Sequence, residues 1–372
     1  MSRYDTPYRS QPRHAFWRDA VARPAPAEVD PVVDWPFRID RDTRVATAGS
    51  CFAQHIARRL AAGGYNYMVT EPAHPLLTPE QAIQFNYGAF SARYGNIYTS
   101  RQLLHLVQRA FGEFEPRDTA WQDERGGWID PFRPNIQPGG FGCREELLCD
   151  RAAHLAAVRR LLAELDVFVF TLGLTECWLH ADDGAAYPLC PGVAGGQFDA
   201  TLHRFHNLEV HDVVADMKAF VARLRNINPR SRVILTVSPV PLVATATPRH
   251  ALTATTYSKS VLRVAAETLS RQLDGVAYFP SYEIITSTAS RGRYFAADCR
   301  DVTEEGVDHV MRLFFRHATS GVSAQPIQHA PDASAAASGN DFLASAQRVV
   351  DTICEENLID QHVQPVVPPL AA

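Results

Sequence analysis

No stretch of the 372-residue chain approaches the roughly 18–20 consecutive apolar residues that a membrane-spanning helix requires. The first thirty residues carry Arg3, Asp5, Arg9, Arg13, Arg18 and Asp19, and they hold no apolar run like that of a secretion signal. Neither sign of charge is in excess. A net charge of −5 and a pI of about 6.3 give the bulk chain no attraction to nucleic acid or to a membrane surface. The seven cysteines are an odd number without CxxC spacing, which argues against a disulfide framework or a zinc site and for reduced thiols. Cys149, Cys177 and Cys354 read as small core residues. The expectation is a cytoplasmic protein with no metal or cofactor and with neither nucleic acid nor membrane as a partner. Oligomeric state stays open.

What is present is ordinary for a globular chain: 46% hydrophobic and 21% charged residues, over a length that suffices for one large domain or two modest ones. Four short β-rich runs read as strands covered on both faces. They lie at 44–48 (RVATA), 167–172 (VFVFTL), 233–237 (VILTV) and 276–280 (VAYFP), and each is ended by Gly, Ser or Pro. Helical periodicity fills the intervals at 54–62, 99–111, 145–165, 210–227, 257–273 and 303–316, the last with Thr303 as N-cap and Glu304 and Glu305 in its first turn. Strands alternating with helices predict a parallel, doubly wound sheet. A ligand then sits beyond the carboxyl ends of the strands, where all four runs open into polar or glycine-containing loops.

Two segments break the alternation. Residues 112–142, with Trp121, Trp128 and Phe132, and residues 177–207 read as loops that serve as pocket walls or as surface excursions. After Arg316 the composition turns to Ala, Ser and Pro. The predicted organisation is an N-terminal extension over 1–40, a domain over 41–318, and a tail over 319–372 with a linker near 330–338, a short helix near 342–356 and a Pro-rich end.

The first strand runs directly into Gly49-Ser50-Cys51-Phe52-Ala53 and then a helix. Strand, Gly-Ser, helix is an arrangement that presents a serine at a sheet edge, with helix N-terminal amides nearby; a plain N-cap serine would look the same. Cys51 is a rival nucleophile. Gly49-Ser50-Cys51-Phe52-Ala53 resembles the signature of the GSCFA family, distantly related to SGNH/GDSL hydrolases. Further segments carry the resemblance in order: Arg93-Tyr94-Gly95-Asn96-Ile97-Tyr98, Thr171-Leu172-Gly173-Leu174-Thr175-Glu176, Thr236-Val237-Ser238-Pro239-Val240, Tyr257-Ser258-Lys259-Ser260 and Tyr278-Phe279-Pro280-Ser281-Tyr282-Glu283. The resemblance implies a flavodoxin-like three-layer α/β/α sandwich of SGNH type with Ser50 as nucleophile. It implies oxyanion donors at the Ser50 amide, at Gly95 and at an asparagine of the third block. Here that block is Gly173-Leu174-Thr175-Glu176, so Thr175 or Asn96 stands for the missing amide, and Glu176 is either a pocket carboxylate or a structural one.

The resemblance also implies an Asp-x-x-His pair before the last helix. This chain has Asp298-Cys299-Arg300-Asp301, with Asp301 where the histidine would be. A carboxylate is a weak base for a serine hydroxyl unless its pKa is raised by several units. Three repairs are open: a histidine from another loop, with His250 first and His206 next, ahead of His203; Asp301 acting as base with Asp298 beside it; or no base at all. Lys259 invites a Ser/Lys reading against the default of a helix-surface lysine. The function implied is a serine-dependent ester hydrolase or O-acyltransferase acting through an acyl-Ser50 intermediate on an acylated carbohydrate or glycan, a small-molecule or glycan ester. The alternative is a non-catalytic SGNH-like binding protein.

Overall fold

The computed structural model describes residues 6–320 and 354–360. The linker, most of the short helix and the Pro-rich end expected beyond 319 lie outside the described residues. Strands β1 (Val45–Gly49), β4 (Val167–Leu172), β8 (Arg232–Val237) and β9 (Val276–Phe279) form one parallel sheet in the order β1-β4-β8-β9. Register is continuous across it: Gly49 pairs with Thr171, Thr171 with Thr236, and Thr236 with Phe279. Outside β1, Tyr67 makes a single parallel bridge to Val45, so residues 66–68 stand where a fifth strand would lie. With that rung counted, the order is the flavodoxin-like one.

Side-chain alternation along the strands explains the layers. Ala46, Ala48, Phe168, Phe170, Val233 and Leu235 face one core, where α3 (Ser100–Ala110), α4 (Arg144–Glu164), α5 (Val210–Ile227) and α6 (Ala251–Gln272) pack. Val45, Val167, Val169, Ile234, Ala277 and Phe279 face the other, against α1 (Ala53–Ala62), α7 (Ser281–Thr286) and α8 (Glu304–Ala318). The four buried runs are hydrophobic on both faces for this reason. Phe168 and Phe220 meet at 5.3 Å between ring centroids, and burying each such side chain is worth roughly 1.5–3 kcal/mol. The chain is thus a mixed α/β protein with a central four-stranded parallel sheet flanked by helices.

Local chemistry sets the helix starts. Thr99 accepts from the Gln102 amide, and Thr303 caps α8 through the Gly306 amide. Helix α6 begins at Ala251, six residues before the sequence-based start, because the His250 side chain caps it. Both expected loops contain structure. Residues 176–207 hold a three-stranded antiparallel sheet of β5 (Glu176–His180), β6 (Ala186–Tyr187) and β7 (His203–Asn207). Its strands are short and interrupted by Glu176, His180, His203, Arg204, His206 and Asn207, which masks the hydrophobic alternation that would have revealed them. Residues 112–142 carry a hairpin, β2 (Trp121–Gln122) against β3 (Trp128–Ile129), closed by Asp123 accepting from the Arg125 and Gly127 amides. No helix of the described residues is long and apolar enough to cross a membrane.

Candidate active site

Gly49 adopts φ +137°, a conformation that side chains disfavour, and a Cβ there would lie 2.3 Å from the Thr171 carbonyl oxygen. Only glycine lets β1 run this close to β4. The chain then turns: the Ser50 carbonyl accepts from the Ala53 amide, and α1 follows at once. The Ser50 side chain is held at the carboxyl edge of the sheet, 3% exposed, and its Oγ has no hydrogen-bond partner among the described residues. Thr171 Oγ1 on the neighbouring strand is likewise unpartnered. A buried hydroxyl without a partner costs free energy, so its persistence points to a purpose other than stability.

Two backbone segments close around Ser50. The Ile97 amide donates to the Gly49 carbonyl at 2.8 Å, and the Gly173 and Leu174 amides both donate to the Tyr98 carbonyl. Gly173 packs so tightly that an added Cβ would meet Ser50 Cβ at 2.9 Å and the Tyr98 oxygen at 3.0 Å. Gly95 (φ +71°) turns the chain so that Asn96 and Tyr98 face the same cleft. Gln54 Nε2 donates to Asn96 Oδ1 at 3.2 Å, which points the Asn96 amide nitrogen the other way. The Ser50 amide donates to the Thr171 carbonyl at 3.2 Å and is therefore engaged in the sheet.

Other sequence candidates lie elsewhere. Thr175 is buried, its hydroxyl donating to Asn207 Oδ1 at 2.6 Å and its amide to Ser258 Oγ. Glu176 accepts from Thr245 Oγ1 and the Ala246 amide, tying a loop down. Asp298 and Asp301 are exposed. Asp298 accepts the amides of Arg300 and Asp301 in a tight turn, and Arg300 between them reaches inward. His250 is exposed, with Nδ1 accepting from the Leu252 amide. His206 Nε2 lies 3.7 Å from Asp212, and buried His203 sits near Asp118. None of these histidines bonds Ser50.

The groups that do surround Ser50 include two that the sequence reading placed wrongly. Lys259 is not on the helix surface: it is 1% exposed, and Nζ donates to the Gly173 carbonyl at 2.7 Å. Burial pushes its ammonium down to about 8. The second is the segment 354–360, which brings Cys354, Glu355 and Glu356 into the cleft. Glu355 accepts from the Asn96 amide at 3.3 Å, from Asn96 Nδ2, and from the Tyr98 hydroxyl at 2.8 Å. Glu356 accepts from Arg300 at 3.3 Å, yet burial raises its carboxyl to about 8, outweighing that partner. Cys354 packs with Cys51 and accepts from Arg300. The Cys51 thiol and that guanidinium hold the Cys354 thiol down, at about 6, while Cys51 is pushed up. No spacing rule links Cys51 to Cys354 across three hundred residues; only the fold does. Of the other expected core cysteines, Cys177 is buried and Cys149 is exposed.

The aromatic residues of the 112–142 insertion are spoken for. Trp121 and Phe132 pack on Tyr187 at 5.0 and 5.6 Å, Arg109 lies over the Phe132 ring, and Trp128 packs beside Ile136, Phe141 and Leu147.

A parallel α/β sheet with a buried, unpartnered serine at the carboxyl end of its first strand, facing an Asn and a Tyr from the 95–98 turn, defines the class. Residues 44–314 match the model of the GSCFA family, and the chain belongs to that family. No curated protein matches it. Solved structures similar to parts of it include a protein assigned as a platelet activating factor from Streptococcus pneumonia (11% identity, 46% of this chain and 66% of that one, TM-score 0.26). Another is a carbohydrate esterase family 2 enzyme with a carbohydrate binding domain from Corynascus thermopiles (Myceliophthora fergusii), at 14% identity over 67% of this chain and 58% of that one, TM-score 0.26. A third is an acetyl xylan esterase from the rumen bacterium Butyrivibrio proteoclasticus (14%, 67% and 57%, TM-score 0.23). The chain spans less than two thirds of the length of each. Likeness at this level carries no argument about activity.

Proposed function

We propose that the chain is a serine-dependent ester hydrolase or O-acyltransferase that works through an acyl-Ser50 intermediate. One observation carries this reading: Ser50 Oγ is buried and unpartnered at the carboxyl edge of the sheet, beside the Asn96 and Tyr98 donors. Lys259 is the base this geometry favours over His250, His206 or Asp301. It bonds the residue that packs on Ser50, and with a pKa of about 8 a useful fraction is neutral near pH 7. Neutral Nζ takes the Ser50 proton as Oγ bonds the acyl carbon; the ammonium then returns it to the departing alkoxide. Asn96 and Tyr98 donate to the oxyanion formed meanwhile, each such bond being worth about 2.7–4 kcal/mol at the transition state. Water or a second hydroxyl resolves the acyl-enzyme by the reverse proton path. Trp121, Trp128 and Phe132, the rings that would stack on an acylated carbohydrate, are packed internally, so the substrate class is left at an ester.

A fluorophosphonate probe tests this. The full chain is expected to gain one adduct on Ser50, absent in Ser50→Ala, with a rate that rises as pH approaches 8 and falls at least 100-fold in Lys259→Met. No adduct at any pH, in the wild-type chain or in one with the cleft emptied of Glu355 and Glu356, sinks the reading. The engagement of the Ser50 amide with Thr171 favours the second reading, a non-catalytic binding protein, and the absence of any adduct would favour it further.

A further inference from the structure

Glu355 and Glu356 are 4% and 5% exposed, an unusual depth for two adjacent carboxylates. Nothing in their own segment neutralises them. Their partners all belong to the Ser50 cleft: the Asn96 amide and Nδ2 and the Tyr98 hydroxyl for Glu355, and the Arg300 guanidinium for Glu356. Arg300 also reaches Cys354 Sγ and Asn357 Oδ1, so one residue holds three successive points of the segment's course. One cation, Arg300, and three hydrogen-bond donors thus converge on a space that two acidic side chains fill. Buried cations are costly unless an anion answers them, and a cleft of this composition is built for an anion.

We propose that Asn96, Tyr98 and Arg300 form a carboxylate-recognition site at the mouth of Ser50, and that residues 354–360 occupy it as a built-in competitor of a carboxylate-bearing ester. This rests on the esterase reading for the word ester, though not for the site. Glu355 sits on the donors assigned above to the oxyanion, so the seated segment and a reacting acyl group exclude each other. The substrate class is then an ester whose acyl or alcohol part carries a free carboxylate, which Arg300 holds while the ester carbonyl takes the place of the Glu355 carboxylate.

The test uses the full chain and a fluorescent synthetic peptide of residues 354–360. The Glu355→Ala/Glu356→Ala chain is expected to bind the peptide at least tenfold more tightly than wild type, whose own segment competes. A peptide with both glutamates replaced by glutamine is expected to lose at least tenfold. Fluorophosphonate labelling of Ser50 should accelerate tenfold or more in the same variant, and free glutarate, but not its dimethyl ester, should slow it again. Should the alanine variant misfold by thermal melt, the Glu355→Gln/Glu356→Gln chain carries the same expectations. Equal peptide binding by variant and wild type overturns the proposal, as does equal binding of the glutamine peptide. Loss of labelling on removing the glutamates also overturns it, because they would then belong to the machinery. Charge-dependent peptide binding without labelling in either chain leaves the site standing and removes the esterase reading alone.

Discussion

Two clusters of buried charge sit on either side of the segment 93–98, and they are assembled in opposite ways. On one side Asp130 pairs with Arg133 and Arg151 at 2.9 Å each, Asp150 bridges Arg133 and Arg93 at 2.7 and 3.1 Å, and Glu71 accepts from His154 and the Arg93 amide. Burial alone would raise the Asp130 carboxyl, yet Arg133, Arg151 and Arg109 together hold it far below the carboxylate range. Most of the charges there answer one another among elements between residues 71 and 154, and the network pins the 112–142 insertion onto α4. On the other side, at Ser50, the charges are answered by a segment arriving from beyond residue 353, and the pKa values of Lys259, Glu356 and Cys354 crowd toward neutrality. A cluster whose members are driven far from neutral pH is a structural device. One whose members titrate near neutrality can exchange protons and partners, and that is the cluster beside the nucleophile.

The largest expected effect breaks the first cluster. Asp130→Asn leaves Arg133 and Arg151 buried without their carboxylate and should cost about 3–5 kcal/mol in urea denaturation. A loss below 1 kcal/mol would mean the network is not what holds the insertion. Next, Gly173→Ala forces a methyl against Ser50 Cβ and the Tyr98 carbonyl and should cost about 1–3 kcal/mol. It should also slow Ser50 labelling, which a merely tolerant surface would not do. The smallest effect is electrostatic. Glu356 ionises near its ordinary value in the unfolded chain but only at about 8 when seated, where it faces Cys354, Arg300, Lys259 and Glu355. Its contribution is therefore complete below about pH 4.5 and is lost progressively as pH rises to 8. Glu356→Gln should flatten that part of the stability–pH curve; an unchanged curve would separate Glu356 from the seating of the segment.

How legible all this was depended on whether the signal was local. The four buried strands announced themselves because each is apolar on both faces, and Thr303 declared its helix by capping chemistry. Ser50 was legible because a Gly-Ser turn after a strand is a local pattern, and Gly95 and Asn96 were singled out by the family resemblance. The β5–β7 sheet was not, since partners such as Trp178 and Phe205 stand far apart in the chain and polar residues interrupt them. Lys259 was misplaced for a related reason: a lysine in a helical pattern gives no sign of which face the sheet will cover. The family's Asp-x-x-His stretch drew attention to Asp298 and Asp301, whereas the inward-facing residue is Arg300.

By itself, then, the sequence determined the parallel α/β sheet, the position of Ser50 at its carboxyl edge and the absence of a histidine where the family resemblance expects one, because strand burial, glycine conformation and motif order are written in adjacent residues. The tertiary structure alone decided what surrounds that serine. Lys259 comes from the middle of α6, Arg300 from a surface turn, and Glu355 and Glu356 from a segment three hundred residues away. Their roles follow from desolvation and charge pairing, which act between residues that only folding brings within a few ångströms.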